Sequence, residues 1–377
     1  MVTPSETDVV VIGGGPAGLA AALAARRSRF EVCVVDRATP PIDKACGEGL
    51  MPDGVAALRR LGVTLGVGQG VPFRGIRFAD DRRSAEAAFP EEVGVGIRRR
   101  TLHQLLVDRA EAAGVVTRWG VKATGVETEG VRIGERLLRC RWIVGADGAS
   151  SQTRQWAGLS VAIDHGGRLG LRQHFRAKPW TDFVEVHWAK GEQAYVTPVG
   201  PEEICVALLG RAQEVGFTDI AARFPRLAER LGDAEPTNAA RGAYCRTIRL
   251  GRVATKRIAL VGDASAAIDA VTGDGLALAF RQAAAIGDAL RKGDLSFYES
   301  QHRSICRTPF FMARLLLLMD RHDGLRKIAL QTLAERPDIF SRLLATHVGA
   351  RHPAVASLDV LALGLRLLAH AATDAAQ

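Results

Sequence analysis

Short apolar segments separated by glycine-rich turns dominate the first part of the chain. Residues 9–12 (VVVI) are continuously apolar, which is typical of a parallel strand buried on both faces. A glycine cluster at 13–18 (GGGPAG) follows, and an Ala- and Leu-rich segment then predicts a helix that ends at about Arg27. Residues 30–36 (FEVCVVD) predict the next strand. This strand–turn–helix–strand order predicts the first unit of an α/β domain.

Two later segments repeat the buried-strand pattern, whereas the middle of the chain has a different period. Residues 141–146 and 257–261 each predict a strand that runs directly into a glycine and an aspartate. From about 169 to 209, apolar and polar residues alternate with a period of two. In residues 183–188 (FVEVHW), for example, Val184, Val186 and Trp188 share one face. The alternation predicts antiparallel strands of a second domain.

Helices are predicted between and after these strands. One is expected to end near Leu61, a second spans about 101–113 and stops at Gly114, and nearly all of the chain beyond Gly275 is predicted to be helical. The C-terminal segment 310–319 (FFMARLLLLM) is apolar around much of its circumference. Core packing explains this composition, and so does the roof of an apolar tunnel or peripheral contact with a membrane surface.

Composition and charge narrow the class of protein. Of the 377 residues, 47% are apolar and 24% are charged, which is ordinary globular composition. No purely apolar run approaches the ~20 residues that a membrane-spanning helix needs. The balance of 50 Lys and Arg against 41 Asp and Glu gives a net charge of +9, which favours anionic partners. Because no nucleic-acid recognition motif accompanies this charge, we expect no nucleic-acid partner.

The N-terminus and the cysteines indicate a cellular compartment. No basic segment precedes the strand-like sequence that begins at Asp8, so a signal peptide is not expected. Six cysteines lie far apart without a C-x-x-C pair, a spacing that fits neither a zinc site nor a disulfide scaffold. These features predict a cytoplasmic protein without a metal site.

The glycine cluster satisfies the G-x-G-x-x-G pattern with Gly13, Gly15 and Gly18. Gly13 permits a tight turn, Gly15 lets the backbone approach a pyrophosphate, and Gly18 allows the helix to pack closely on the strand. The phosphates are then expected at the helix N-terminus, where free N–H groups and the helix dipole attract anions. Asp36 closes the next strand and is placed to accept the ribose hydroxyls. The pattern therefore predicts nucleotide binding.

Two further motifs indicate which nucleotide is bound. Residues 145–151 (GADGASS) resemble the Asp-Gly motif, and residues 262–265 (GDAS) the Gly-Asp motif, of flavoproteins of the p-hydroxybenzoate hydroxylase superfamily. The resemblance covers most of residues 1–290 and implies FAD, bound by a Rossmann-like domain of the glutathione reductase type 2 style. Besides the glycine cluster and Asp36, the cofactor contacts that it implies are Arg37, Arg99, Asp147, Gly262 and Asp263. The neighbours Arg98 and Arg100 leave the choice of arginine open, and a surface charge at the helix start is the alternative role for Arg99.

Within that superfamily, residues 44–50 (KACGEGL) most resemble the K-P-C-G-x-G/A-L segment of geranylgeranyl reductase-like enzymes, which saturate isoprenoid double bonds. Ala45 departs from the usual Pro. In that family the Cys lies beside the isoalloxazine, so the resemblance makes Cys46 the catalytic candidate and Gly47 a cofactor contact. A thiol there can supply the proton that accompanies hydride transfer from the flavin to an alkene. The alternative for Cys46 is a small buried side chain without a chemical role.

The segment 272–276 (TGDGL) resembles the T-G-E-G-I/L segment of the same reductases, which adds Gly273, Gly275 and Leu276 to the implied flavin contacts. Aromatic hydroxylases usually carry P-x-x-G-x-G there, and no Pro lies between Asp263 and Arg281. This departure favours reduction.

The substrate is less well indicated. The Y-x-W-x-F-P stretch that lines the substrate cavity of the isoprenoid reductases corresponds to residues 193–198 (QAYVTP), which keep only the Pro and one aromatic residue. A long polyprenyl substrate is therefore not required. Tyr195 and His187 are candidate substrate contacts, with an ordinary position in the sheet as the alternative for both. Flavin halogenases carry W-x-W-x-I-P, and because no two Trp residues here are two apart, a halogenase is excluded.

The source of electrons is left open by the sequence. No second nucleotide fingerprint is present, since 66–70 (GVGQG) lacks the third glycine spacing and runs into Val71-Pro72. Electrons are therefore expected from NAD(P)H that docks transiently, or from a reduced protein partner such as a reductase or a ferredoxin.

Together these features predict an FAD-dependent oxidoreductase. Its FAD-binding domain is predicted to comprise residues 1–70, 96–158 and 250–292, its antiparallel-sheet substrate domain residues 71–95 and 159–249, and its helical C-terminal region residues 293–377. The favoured reaction is reduction of a carbon–carbon double bond in an apolar, isoprenoid or polyketide-like molecule by hydride from the reduced flavin. A single-component monooxygenase that hydroxylates an aromatic or polyketide-type substrate is the alternative. A non-catalytic flavin-binding or membrane-associated protein is the third class.

Overall fold

The structure, a computed structural model, describes residues 5–159, 162–163, 167–212 and 214–351. Within them, the strands are β1 (Glu6–Ile12), β2 (Val32–Asp36), β3 (Gly49–Leu50), β4 (Val71–Phe73), β5 (Gly75–Ala79), β6 (Ser84–Ala88), β7 (Gly94–Gly96), β8 (Val116–Trp119), β9 (Ala123–Val126), β10 (Gly130–Ile133), β11 (Arg136–Gly145), β12 (Ala162–Ile163), β13 (Arg168–Arg176), β14 (Phe183–Ala189), β15 (Glu192–Gly200), β16 (Glu203–Gly210), β17 (Arg241–Cys245), β18 (Ile248–Arg249) and β19 (Ile258–Leu260). The α-helices are α1 (Pro16–Arg27), α2 (Pro52–Arg60), α3 (Arg99–Ala112), α4 (Gln152–Trp156), α5 (Ile220–Arg223), α6 (Pro225–Leu231), α7 (Gly275–Lys292), α8 (Leu295–Arg321), α9 (Asp323–Glu335) and α10 (Pro337–His347). Two short 3-10 turns cover Gly262–Ala264 and Ala270–Thr272. Parts of the predicted second domain (160–161, 164–166 and 213) and the predicted C-terminal helical region beyond residue 351 lie outside the described residues.

The first large sheet is mainly parallel. Its strand order is β8-β2-β1-β11-β10-β9, and β19 also pairs with β11. The register sets Ile12 opposite Val35 and Gly145, and Gly145 opposite Leu260. Because parallel strands in this register end at one edge, the segments that follow β1, β11 and β19 meet there.

Both faces of this sheet are buried, as the continuous apolar run in β1 predicted. Val9 and Val11 pack with α1, α3 and α7, whereas Val10 and Ile12 belong to a separate cluster on the other face. The helices approach closely: a methyl group at Gly287 of α7 would lie 3.0 Å from the Ala24 Cβ of α1. The predicted fold class, an α/β FAD-binding fold with a further antiparallel sheet and a helical C-terminal part, is confirmed.

The second large sheet has the strand order β17-β13-β16-β15-β14-β5-β6 and is antiparallel except between β14 and β5. Val184, Val186 and Trp188 share one face, as predicted, and pack against α9 and α10. The opposite face, which includes Val196 and Val206, packs against α6. A hydrophobic core therefore covers each face of the second sheet. One of these faces also reaches the edge of the first sheet.

The C-terminal helices are partners of this core. Apolar residues of α8, α9 and α10, among them Met319, Leu330 and Phe340, belong to the cluster that covers the second sheet. Core packing, the roof of an apolar tunnel and contact with a membrane surface were the three explanations for this apolar composition. In the described residues, these side chains pack in the core. No helix in the described ranges combines the length and the apolar character needed to cross a membrane.

Tyr298 joins the C-terminal helices to the first sheet, which gives a test of this packing. The Tyr298 side chain is fully buried, and its hydroxyl donates to the Leu260 carbonyl at 2.6 Å. Tyr298→Phe leaves a buried carbonyl without that donor, so we expect the free energy of unfolding to fall by about 1–2 kcal/mol in urea denaturation. Tyr244→Phe, at an exposed position, is the matched control and should change it by less than about 0.5 kcal/mol. Equal unfolding midpoints for both variants would contradict this assignment.

Candidate active site

The glycine loop between β1 and α1 lies at the edge where the parallel strands end. Gly13 has φ +110°, and a Cβ there would lie 2.9 Å from the Asp147 nitrogen. A Cβ at Gly18 would lie 3.0 Å from the Gly13 carbonyl carbon. Gly15 differs, because no heavy atom lies within 4 Å of its ideal Cβ position. Gly13 and Gly18 therefore allow close packing, whereas Gly15 leaves open space at the N-terminus of α1.

Asp36 holds this loop through its carboxylate. Its Oδ2 accepts a hydrogen bond from the Gly14 N–H at 2.6 Å, and its Oδ1 accepts one from the Ala38 N–H at 2.7 Å. Each oxygen retains a further lone pair, and the residue is half-buried. The predicted bond to ribose hydroxyls is compatible with this geometry and stays a prediction.

Two residues that the sequence motif did not indicate also hold the loop. His103 of α3 is fully buried, with Nε2 2.8 Å from the Gly14 carbonyl and Nδ1 accepting from the Ile42 N–H. Burial lowers the pKa of His103, so its neutral form can keep Nε2 as the donor. The Trp119 ring lies against Gly14 and leaves no room for a side chain there.

The Asp-Gly and Gly-Asp motifs follow β11 and β19. Asp147 accepts hydrogen bonds from the Ser151 hydroxyl and from both the N–H and the hydroxyl of Thr153. Its carboxylate therefore stabilises the turn into α4, and a contact with FAD stays a prediction. Asp263, by contrast, is partly exposed and pairs with Lys44 at 2.9 Å. That ion pair connects the Gly-Asp motif to the loop that contains Cys46.

The structure separates the three consecutive arginines at the start of α3. Arg98 reaches Glu203 at 3.2 Å, and Arg100 is exposed. Arg99 is buried, and its Nε has no hydrogen-bond partner among the described residues. Burial lowers the pKa of Arg99, and the nearby Cys46 and Asp263 oppose that shift. A buried guanidinium with a free N–H is complementary to an anion such as a phosphate.

Cys46 is half-buried on the loop between β2 and β3. Its sulfur accepts the Glu48 N–H at 3.4 Å, and the Cys205 thiol lies 3.9 Å from the Cys46 carbonyl oxygen. The neighbouring Gly47 carbonyl accepts a hydrogen bond from the Thr197 hydroxyl at 2.8 Å. Burial raises the pKa of the Cys46 thiol, and the charge of Arg99 opposes this. The thiol therefore lies near Arg99 of α3, on a loop bound to the second sheet, in its protonated form.

Sequence reasoning missed the charged cluster beside Cys46. The Glu48 carboxylate accepts hydrogen bonds from Arg172 and from the Arg99 backbone, and it lies 2.6 Å from His174 Nε2. All of these side chains are buried. A signal was available in β13, because Arg168, Arg172 and His174 recur with a period of two and so share a face.

A metal ion is not needed to explain this cluster. Ligand atoms of Glu48, His174 and Cys205 lie within 4.8 Å of one another. The Arg172 guanidinium already provides a cation to the Glu48 carboxylate at 3.0 Å, and Cys205 is held as a thiol because burial raises its pKa. Charge compensation therefore comes from the protein itself.

The two candidate substrate contacts lie on opposite faces of the second sheet. The register pairs Val186 with Tyr195 and His187 with Ala194. Tyr195 faces the first sheet, and its hydroxyl donates to the Val271 carbonyl at 2.8 Å. His187 instead lies 3.1 Å from Glu185 on the face away from Cys46. The structure therefore does not bring His187 together with the other candidate residues.

The segment 272–276 lies where the second sheet and α7 approach. Gly273 has φ +70°, a left-handed conformation that favours glycine, and a Cβ there would lie 3.6 Å from the Met51 Cε. Gly275 begins α7 and has open space at its Cβ position, and Leu276 is partly buried in the first core. Asp274 pairs with His347 of α10 at 3.0 Å. Like Gly15 and Gly47, Gly275 has no heavy atom within 4 Å of its ideal Cβ position.

Comparison with known proteins identifies the family. A family model described as an FAD binding domain matches residues 6–292. The chain belongs to this family. The match includes the glycine loop, Arg99 and the Gly-Asp motif, so the resemblance inferred from these residues is confirmed.

The named relatives include reductases and a hydroxylase. A menaquinone reductase from Mycobacterium tuberculosis is 29% identical over 308 residues, which cover 73% of this chain and 74% of the relative. A digeranylgeranylglycerophospholipid reductase from Methanocella arvoryzae is 26% identical over 317 residues, 78% of this chain and 80% of the relative. A 3-(3-hydroxy-phenyl)propionate/3-hydroxycinnamic acid hydroxylase from Mycobacterium avium is 30% identical over 185 residues, 42% of this chain and 32% of the relative.

A solved structure has the same fold. The flavoprotein/dehydrogenase from Cytophaga hutchinsonii superposes with a TM-score of 0.79 at 20% identity, covering 91% of this chain and 93% of the other. The family and the reductase relatives show that the chain is an FAD-dependent oxidoreductase.

The residues present fit FAD. The open space at Gly15 and the unpartnered N–H of Arg99 are both suited to a pyrophosphate, which is anionic and must approach the backbone closely. The carboxylates of Asp36 and Asp263 follow strands of the same sheet, and their contacts with the cofactor stay predictions.

Two neighbouring glycines test the role of the open space. Gly15→Ala adds a methyl group where FAD is expected, so we predict FAD affinity at least about tenfold weaker, because each 1.4 kcal/mol corresponds to a factor of ten. Fluorescence titration of the Gly15→Ala apoprotein with FAD measures the affinity. The melting temperature of this apoprotein should equal that of the unaltered apoprotein. Gly14→Ala, the matched control, drives a methyl group into Trp119 and should lower the melting temperature of the apoprotein. Unchanged FAD affinity of Gly15→Ala would exclude Gly15 from the cofactor site.

Proposed function

We propose that this oxidoreductase reduces a carbon–carbon double bond of an apolar molecule, with Cys46 as the proton donor. FAD, when bound, supplies the hydride. The observation that carries the proposal is the Cys46 thiol, which is half-buried beside Arg99 on a loop bound to the second sheet. Reduction of an alkene needs a proton as well as a hydride, and a positioned thiol can hold that proton at its sulfur.

The protonation state of Cys46 supports a donor more than a nucleophile. Reactive cysteine nucleophiles have a lowered pKa, whereas burial raises the pKa of Cys46. The Glu48 N–H at 3.4 Å orients the sulfur. The neighbouring Gly47 carbonyl, bound by Thr197, fixes the loop against the second sheet.

The names of the relatives support reduction of an isoprenoid-bearing substrate. The menaquinone and digeranylgeranylglycerophospholipid reductases each match about three quarters of this chain, whereas the hydroxylase matches less than half. We therefore choose polyprenylated quinones and lipids as the first substrates to test.

NAD(P)H is the electron donor that we propose. A cavity of about 500 Å³ is lined by Arg37, Arg100 and Arg241 together with residues 38, 39 and 41–43, of which Asp43 pairs with Arg241 at 3.3 Å. Three guanidinium groups around one cavity are complementary to the phosphates of a dinucleotide. A reduced protein partner is the alternative, and it would leave NAD(P)H unable to reduce the bound flavin.

Replacement of Cys46 tests its role. We expect Cys46→Ala to lower kcat by about 10²-fold or more, the usual contribution of general acid catalysis, with FAD affinity unchanged. Cys245→Ala, the other half-buried cysteine, is the control and should keep full turnover. Because the pKa of the thiol is raised, kcat of the unaltered protein should hold across neutral pH and fall only as pH rises through that raised pKa. Full turnover by Cys46→Ala would remove Cys46 from the mechanism.

The competing function is a monooxygenase, which the hydroxylase relative favours. The two reactions differ in their need for oxygen and in their products. Under anaerobic conditions with NADPH, a reductase gives a product heavier by two hydrogen atoms, measured by mass spectrometry. A product that forms only with oxygen and is heavier by one oxygen atom would establish the monooxygenase instead.

A further inference from the structure

Glu48 has an unusual backbone conformation next to Cys46. Its φ is +59°, in the left-handed region that non-glycine residues rarely adopt. This turn directs the Glu48 N–H to the Cys46 sulfur at 3.4 Å. Such a conformation persists only where surrounding contacts hold it in place.

The Glu48 side chain provides those contacts. Its Oε1 accepts the Arg99 N–H at 2.9 Å and Arg172 Nη1 at 3.0 Å, and its Oε2 lies 2.6 Å from His174 Nε2. Glu48 is 1% exposed, His174 0% and Arg172 4%. One carboxylate thus connects the Cys46 loop to the start of α3 and to strand β13 of the second sheet.

The network beyond Glu48 is held by groups that do not relay protons. His174 Nδ1 lies 2.5 Å from Asn238 Nδ2 and 3.3 Å from Arg98 Nη2. Because an amide and a guanidinium donate there, His174 Nδ1 is the acceptor and His174 Nε2 donates to Glu48. Neither an Asn amide nor an Arg passes a proton onward at ordinary pH, so the network is suited to fixing a position.

We propose that Glu48 is the positioning residue for Cys46: its buried carboxylate, bound to α3 and β13, holds the backbone turn that aims its own amide at the sulfur. The inference deepens the proposed function and rests on the role of Cys46 there. The test, however, measures the reactivity of the Cys46 thiol and not turnover. The inference can therefore fail independently of the reaction.

Glu48 also balances the charges around the thiol. Burial has the largest effect and raises the pKa of Cys46. The charge of Arg99, the Glu48 N–H and the charge of Lys44 lower it, whereas the charge of the Glu48 carboxylate raises it. Cys205, the titratable group that faces Cys46 from β16, is itself held as a thiol. Without the negative charge of Glu48, Arg99 and Lys44 would be less opposed and the pKa of Cys46 would fall, although burial would still raise it. The carboxylate therefore keeps a proton on the sulfur as well as orienting it.

The pH profile of Cys46 alkylation tests this inference. The FAD-loaded protein is treated with iodoacetamide from pH 6 to 11, and the labelled Cys46 peptide is quantified by mass spectrometry. Glu48→Gln keeps an acceptor oxygen for the Arg99 N–H, and therefore the turn, but removes the negative charge, so we expect the midpoint to fall by roughly one pH unit, which is typical for removal of a close like charge. Arg172→Gln removes a cation from the cluster and leaves Glu48 less compensated, so its midpoint should rise. The two variants are expected to shift the midpoint in opposite directions. Either variant therefore tests the inference if the other does not fold.

A matched control is present on the other face of the same sheet. Glu185 is also 1% exposed and is bound by His187, Arg77 and Arg230. Glu185→Gln therefore removes an equally buried carboxylate far from the thiol, and it should lower the melting temperature while the Cys46 midpoint stays unchanged. An unchanged midpoint in Glu48→Gln, or an equal shift in Glu185→Gln, would overturn the proposal. Full turnover by Cys46→Ala, which would remove Cys46 from the mechanism, would not affect either outcome.

Discussion

Parallel strands that end in step at one edge of the first sheet determine where the cofactor site can form. β1, β11 and β19 are in a register that sets Ile12, Gly145 and Leu260 beside one another. The turns that follow therefore pack against each other, and Gly13 and Gly18 are needed because side chains there would collide with neighbouring backbone. The same edge exposes the N-terminus of α1, where N–H groups are free to bind an anion. Gly15 is the one glycine of the motif whose Cβ position is open, so the close packing falls to Gly13 and Gly18.

The second sheet completes the site by bringing two buried side chains of β13, Arg172 and His174, to the carboxylate beside Cys46. Ionised side chains survive burial only when they are paired, and this sheet pairs them on both faces. Glu185, on the outer face, illustrates the balance. Burial raises the pKa of Glu185, but hydrogen bonds from His187 and Trp180 outweigh this effect and lower it to about 2. Glu48 occupies a comparable position on the inner face, where its partners belong to the Cys46 loop, α3 and β13.

This arrangement bears on the chemistry because the thiol is placed between opposite charges. Arg99 and Lys44 favour a thiolate, whereas burial and Glu48 favour the thiol. The protonated form prevails, which suits donation of a proton to a substrate carbon. A chain with the same glycine loop but without this charge balance could bind FAD equally well and have a different reactivity, since the two features depend on different residues.

The sequence by itself determined four strands of the first sheet (β1, β2, β11 and β19), the nucleotide and the family, because these depend on local patterns. A continuous apolar run marks a strand buried on both faces, and glycines at fixed spacing mark a turn that excludes side chains. Alternation in residues 183–188 also identified the face of Val184, Val186 and Trp188 correctly. The same alternation placed His187 on the opposite face, so its candidacy as a substrate contact could have been questioned from the sequence.

Only the tertiary structure decided the partners of Glu48, since Arg172 and His174 lie more than a hundred residues away and meet it through the pairing of distant strands. It likewise decided which of three consecutive arginines is buried, because the direction of a side chain at a helix start depends on what packs around it. Long-range charge pairing has no local periodicity, and for this reason the setting of Cys46 could not be predicted from its motif.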